Sequence, residues 1–329
     1  MRTSFIHVAD TGLGYADPAD PGLSAQVAKQ FRHVVDYAVE QRAAFVVFSG
    51  NLFDAPDVEP DAFQAAYRGL RALAEKNVSA IAVRGRRDMR LQPGRMSWYD
   101  MLAQEGLLAV LEPQVQDVQL ALRRWERRDG RGSYLDLGRC RVFGLHYMGT
   151  LSGLALQALA KAVGSVDNRE VDYKVLLLHG SLEHFSHAVG PQVSYSDLLM
   201  LRRSVDYVAL GGCDEAYEAE GWAYNPGPNG FYQVTVDTAV EPKHHARYVA
   251  YPPSLAVSRP QASLRPPPRR VVEERIFEEL LSTPSSVDRD LRRDVLRLVT
   301  QAMWGAGGAG LEQSLLELAH RGQPGADAA

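Results

Sequence analysis

The chain has 329 residues, 46% of them apolar, and a formal net charge of −4, which is enough for one large domain or a domain with an appendage. That charge excludes a globally basic nucleic-acid binder. The two cysteines, Cys140 and Cys213, lie far apart and exclude a disulfide framework or a cysteine zinc site, and no apolar run approaches the roughly 18 residues of a membrane span. The composition reads as a soluble protein of a reducing compartment, the cytoplasm, with no membrane partner.

Residues 4–9 alternate and predict a strand. Ser24 is placed to cap a helix whose Val27, Phe31, Val34, Val35, Ala38 and Val39 recur at helical spacing. Residues 43–50 read as a buried strand ending in glycine. Residues 60–76 predict a second amphipathic helix with Phe63, Tyr67, Leu70 and Leu73 on one face, and 78–85 a third strand. Such alternation means a largely parallel sheet with crossover helices. Beyond residue 110, strand-like runs at 115–126, 133–138 and 140–147 are separated by Gly- and Arg-rich turns. A helix near 153–164 follows, then buried strands at 173–180 and 205–212, and strand-rich stretches at 223–237 and 244–251. The expected organisation is a core over 1–250, a proline-rich linker over 251–270, a helical region over 271–320 and a disordered tail over 321–329. Within the helical region, Val287, Leu291, Val295, Leu298 and Val299 form an apolar stripe.

The triplet Asp10-Thr11-Gly12 has the form of an aspartic-protease loop. That chemistry needs two carboxylates sharing one proton, hence a second such loop. The nearest match, Asp237-Thr238-Ala239, lacks the glycine.

The strand ends taken together say more. They are "ADTGLG" (9–14), "SGNLFD" (49–54), "RGRRD" (84–88), "LLLHGS" (176–181) and "ALGGCD" (209–214), followed by "NPGP" (225–228). In order and spacing the chain resembles the calcineurin-like metallophosphoesterase superfamily, most closely its SbcD branch, the nuclease subunit of an SMC-like DNA-break repair complex. The resemblance spans roughly residues 4–250. It implies a four-layer αββα sandwich of two mixed sheets, with a short C-terminal helical extension.

The same resemblance implies a pair of divalent ions that activate water against a phosphodiester. Carried over position by position, the metal set is Asp10, Gly12, Asn51, Arg86, His179, Gly212 and Asp214. Asp10 and His179 match the pattern. Glycines stand where the family has histidine at 12 and 212, and Asn51 stands for the bridging aspartate. Arg86 replaces an asparagine ligand, and Asp214 a histidine. Arg87, with Asp88 beside it, occupies the general-acid position. Two guanidiniums would repel cations, so an arginine network with Asp10, Asp88 and Asp214 is expected to replace the metal pair. A relocated site would draw on His146, His184, His187, His244 and His245.

No catalytic set is therefore expected intact, and no cofactor. An active form would use manganese or another divalent metal, at an atypical site of Asp10, Asn51, His179 and Asp214. The reading is a pseudo-nuclease subunit in DNA processing or repair. The alternatives are an active phosphoesterase or exonuclease and a phosphate- or nucleotide-binding regulator. Candidate DNA or phosphate contacts are Arg86, Arg87, Arg123, Arg124, Trp125, Arg127 and Arg128, the last five at a hairpin tip where an aromatic sits among guanidiniums. Arg202 and Arg203 add local basic character. The resemblance further implies an SMC-like coiled-coil ATPase partner and a homodimer through helices at 60–76 and 96–107.

Overall fold

The computed structural model describes residues 1–89, 96–116, 119–149, 152–183 and 193–257. The expected helices at 271–282, 286–304 and 311–320, the tail, most of the linker, and His184 and His187 lie outside the described residues.

Six strands build the first sheet: β1 (Arg2–Val8), β2 (Phe45–Phe48), β3 (Ser79–Ala82), β4 (Ala109–Val110), β13 (Gly230–Asp237) and β14 (His244–Ala250). Their order is β14-β13-β1-β2-β3-β4. β1 to β4 are parallel, as the alternation with helices predicts, and β13 is antiparallel to both of its neighbours, β1 and β14. The second sheet contains β7 (Tyr134–Leu137), β8 (Cys140–Leu145), β9 (Tyr173–His179), β10 (Tyr207–Gly211), β11 (Tyr217–Ala219) and β12 (Ala223–Asn225). Its order is β11-β12-β10-β9-β8-β7, with only the edge strands β7 and β11 antiparallel. A short ribbon of β5 (Gln114–Gln116) and β6 (Gln119–Ala121) forms a two-stranded sheet of its own.

The two large sheets face each other. Phe5, Phe45, Val47 and Ile81 of the first share one apolar cluster with Val142, Val175, Leu177, Tyr207 and Ala209 of the second. Strand alternation turns the intervening residues outward. On the first sheet Ile6, Val8, Val46, Phe48 and Ala82 pack into a second cluster with α1 (Leu23–Glu40), α2 (Pro60–Glu75) and α3 (Trp98–Gln104). The second sheet also buries its other set, Leu176, Leu178, Val208 and Leu210, with α4 (Ser152–Ser165) between β8 and β9 and α5 (Tyr195–Leu199) between β9 and β10. Two mixed sheets flanked by helices is the sandwich that the motif order implies.

Three local features differ from the sequence reading. α1 begins one residue before Ser24, with Gly22 at the N-cap and no side-chain cap. Ser24 therefore sits inside the first turn, where its hydroxyl cannot hold the helix end. α2 turns Ala62, Ala66, Gly69, Leu70 and Leu73 inward, leaving Phe63 and Tyr67 at the margin. Gly69 sets that rotation, because a β-carbon there would strike the Phe31 ring of α1. Residues 251–257, at the start of the expected linker, dock on α1. Gln30 Nε2 donates to the Leu255 carbonyl at 2.7 Å, Gln26 Nε2 reaches the carbonyls of Ser254 and Ala256, and Tyr251 and Val257 join the apolar cluster.

Candidate functional site

Parallel strands carry all their C-terminal ends to one edge, so the loops after β1, β2 and β3 are neighbours, as are those after β9 and β10. The chain leaves each strand sharply. Asp10 and Asn51 both adopt the left-handed region at φ 52°, and Gly50 and Gly212 have φ of 88° and 94°. Asp and Asn tolerate that conformation better than other residues with a β-carbon. At Gly50 a side chain is excluded as well, since its β-carbon would meet His179 and, at 2.7 Å, the Gly85 backbone.

Backbone bonds knit the loops in sequence. Asp10 N–H donates to Gly50 O, Gly12 N–H to Asn51 O, Leu13 N–H to Leu52 O, and Asp54 N–H back to Leu13 O. Side chains add a second set. Asn51 Nδ2 donates to Asp10 Oδ1 at 2.7 Å, the Gly212 N–H donates to Asp10 Oδ2 at 2.7 Å, and the Arg87 N–H donates to Asn51 Oδ1 at 3.0 Å. Nδ1 of His179 lies 2.7 Å from the Ser49 carbonyl. A carbonyl only accepts, so Nδ1 carries the proton. The other ring nitrogen, Nε2, faces the space kept clear by Gly212, where a β-carbon would come within 3.2 Å.

Asp10, Asn51, His179, Arg87, Gly12 and Gly212 are thus brought together, and Asp214 follows on an exposed turn. The arginine network takes a different form from the one expected. Arg87 lies in a short 3₁₀ turn (Arg86–Asp88); its guanidinium pairs with Asp54, and its backbone N–H reaches Asn51 in the cleft. Asp88 is buried and serves the loop itself, accepting from Phe53 N–H, Gly85 N–H and the Tyr99 hydroxyl at 2.9–3.0 Å. Burial pushes its carboxyl above the usual range, with those donors and the nearby His179 opposing the shift. Arg86 is exposed, and no ion pair among the described residues holds it.

The hairpin candidates separate. Trp125 is half-buried, packing against the inter-sheet cluster with its Nε1 enclosed. Arg123 pairs with Asp129 and Glu126, and Arg124 with Asp136. Arg127 and Arg128 are exposed. Arg202 lies over the Trp222 ring at 4.9 Å. His244 is set among Tyr173, Tyr207 and Tyr224. Among the described residues, no three His, Cys, Asp or Glu side chains cluster as a metal would require.

Sequence reasoning missed a polar knot behind the site. His7, fully buried in β1, places Nδ1 2.9 Å from Tyr207 Oη and Nε2 3.0 Å from the Leu210 carbonyl and 3.1 Å from Ser49 Oγ. Burial drives its pKa down to about 3. The lone histidine inside an apolar strand was the available signal.

The donor set does not fit two divalent ions. At the position where the pattern has a bridging carboxylate, Asn51 offers a neutral amide whose nitrogen and oxygen are both committed. Positions 12 and 212 carry no side chain, and both Asp10 oxygens already accept hydrogen bonds.

Two facing mixed sheets flanked by helices, with these loops in this order, match the fold of the calcineurin-like metallophosphoesterases. The curated proteins that the chain resembles are named DNA double-strand break repair protein Mre11. The chain is 35% identical to the one from Archaeoglobus fulgidus over 107 residues, 32% of this chain and 24% of that protein. It is 22% identical to the one from Saccharolobus solfataricus over 206 residues, 63% of this chain and 48% of that one. The matched stretch therefore spans under half of either relative. Among solved structures, the calcineurin-like phosphoesterase YfkN from Bacillus subtilis aligns at 9% identity and a TM-score of 0.43, over 76% of this chain and 91% of that one. No family model matches the chain. No helix of the described residues is long and apolar enough to cross a membrane.

Proposed function

We infer that the chain is a non-catalytic, Mre11-like subunit that binds DNA in double-strand break processing and works with an SMC-like coiled-coil ATPase. One observation carries this: the position of the metal-bridging carboxylate holds Asn51, hydrogen-bonded to Asp10. A site tied by a neutral amide has no charge with which to bind a second cation, and without the ion pair no hydroxide is generated against a phosphodiester. The fold still presents cations at its surface, with Arg86 beside the cleft and Arg127 and Arg128 on the hairpin. These suit a phosphate backbone, whose binding weakens as salt rises. The residues beyond 257 are assigned to the ATPase, through the apolar stripe Val287–Leu291–Val295–Leu298–Val299. The homodimer is assigned to the α2–α3 region, where Met96 and Met101 are 61% and 40% exposed beside the Phe63–Trp98 ring contact.

Fluorescence anisotropy with duplex and single-stranded DNA across a salt series tests this reading. Binding that falls steeply with salt, from protein that holds less than one equivalent of metal by elemental analysis, supports it. No binding at low salt, or two equivalents of manganese or zinc, overturns it.

A second reading has one observation in its favour. His179 Nε2 faces Gly212, whose N–H holds Asp10, which favours a single-ion site of Asp10, Asn51, His179 and Asp214 in an active phosphoesterase. Under that reading Asp10→Ala and His179→Ala each abolish a manganese-dependent cleavage.

A further inference from the structure

In this superfamily the loops after the first three strands are joined through ions. Here they are joined through one carboxamide. Asn51 Nδ2 holds Asp10 of the β1 loop, Asn51 Oδ1 holds the Arg87 N–H of the β3 loop, and the Asn51 backbone carbonyl holds the Gly12 N–H. From the second sheet, the Gly212 N–H takes the remaining oxygen of Asp10. Asparagine suits this post because its side chain both donates and accepts, whereas a carboxylate only accepts. The surroundings are shaped to it. Gly85 lies so close that a β-carbon would strike the Asn51 amide, and Asn51 holds the left-handed backbone that aims the amide at Asp10. Asp10 is 7% exposed and Asn51 9%, so the pair is shielded from water.

We propose that Asn51 is the positioning residue of a metal-free centre: its carboxamide replaces cation bridging in joining the strand-end loops, and a single change to aspartate returns the centre to dependence on a divalent ion. This rests on the non-catalytic reading above and deepens it. In N51D the donor to Asp10 Oδ1 is lost, and two carboxylates face each other at the present 2.7 Å contact. Like charges that close cannot both ionise without a cost. A cation between them relieves it, and binding to the folded state raises the melting temperature by mass action.

Thermal unfolding of the full chain, in EDTA and in millimolar manganese, tests the proposal. The wild-type Tm is expected to agree within about 1 °C in the two buffers. N51D is expected to melt roughly 5 °C or more below it in EDTA, and to recover most of that loss in manganese. N51L, which removes the charge and the hydrogen bonds together, is expected to fall in both buffers. Should N51D fail to fold in EDTA, the reciprocal double variant D10N/N51D restores an amide–carboxylate pair and is expected to fold there. Failure of that exchange to restore folding, an N51D Tm equal to wild type in EDTA, or an N51D Tm unmoved by manganese overturns the proposal and leaves the non-catalytic reading standing. A wild-type Tm raised by manganese, together with manganese-dependent DNA cleavage, overturns the reading itself.

Discussion

The Nδ1–H of His179 donates to the carbonyl of Ser49 at 2.7 Å, joining the end of β9 to the end of β2 across the two sheets. Ser49 is doubly tied, since its hydroxyl donates to the Ala209 carbonyl at 2.9 Å. A residue that the superfamily pattern marks as a metal ligand thus has a structural bond of its own. His179→Ala leaves a buried carbonyl without its donor, which costs about 1–3 kcal/mol. Urea denaturation is expected to show that loss equally in EDTA and in manganese. A loss seen only in manganese would mean that His179 serves an ion instead.

His7 makes the fold sensitive to acid. It is buried and neutral in the native state, with a pKa near 3, against an ordinary 6.5 in the unfolded chain. The unfolded state therefore binds the extra proton below pH 6.5, and stability falls as pH drops from there toward 3. The accumulated loss is on the order of 3–5 kcal/mol. His7→Gln has no such titration. The stability difference between wild type and variant is expected to be flat above about pH 7 and to shrink by more than about 1 kcal/mol per pH unit below about pH 6. Parallel curves would show that His7 is protonated when folded or exposed to water.

Much of this was legible in the sequence, for identifiable reasons. The parallel strands β1, β2, β3, β9 and β10 are short apolar runs ending in glycine or polar motif residues, so their order and the loops they support could be placed by pattern. The edge strand β11 and helix α5 are three and five residues long, too short for a period to register. Asp10, Asn51 and His179 converge as their motif positions imply. The arginines do not act as expected, because what reaches the cleft from Arg87 is its backbone N–H. That depends on a 3₁₀ turn and on Asp54 capturing the guanidinium, and spacing encodes neither. Trp125 is half-buried against the inter-sheet cluster, a packing contact that its arginine neighbours in the sequence do not encode.

The hairpin gives a prediction that separates packing from binding. Trp125 lies against the inter-sheet cluster, so Trp125→Ala is expected to cost about 3 kcal/mol of stability, with little change in DNA affinity at a temperature where the variant is folded. Arg127→Glu with Arg128→Glu is expected to leave stability within about 0.5 kcal/mol and to flatten the log–log salt dependence of DNA binding by roughly 2. A double reversal that leaves the salt slope untouched would remove the hairpin from the DNA surface.

On the proposed reading, Asn51, Gly12 and Gly212 leave a phosphoesterase-like fold without its chemistry. A nuclease assay on linear duplex and single-stranded DNA with manganese in excess tests this, comparing the full chain with Asp10→Ala and His179→Ala. The expected result is that all three leave the DNA intact over the time in which a manganese-dependent exonuclease control digests it. Manganese-dependent cleavage by the wild type, lost in both variants, would contradict the account.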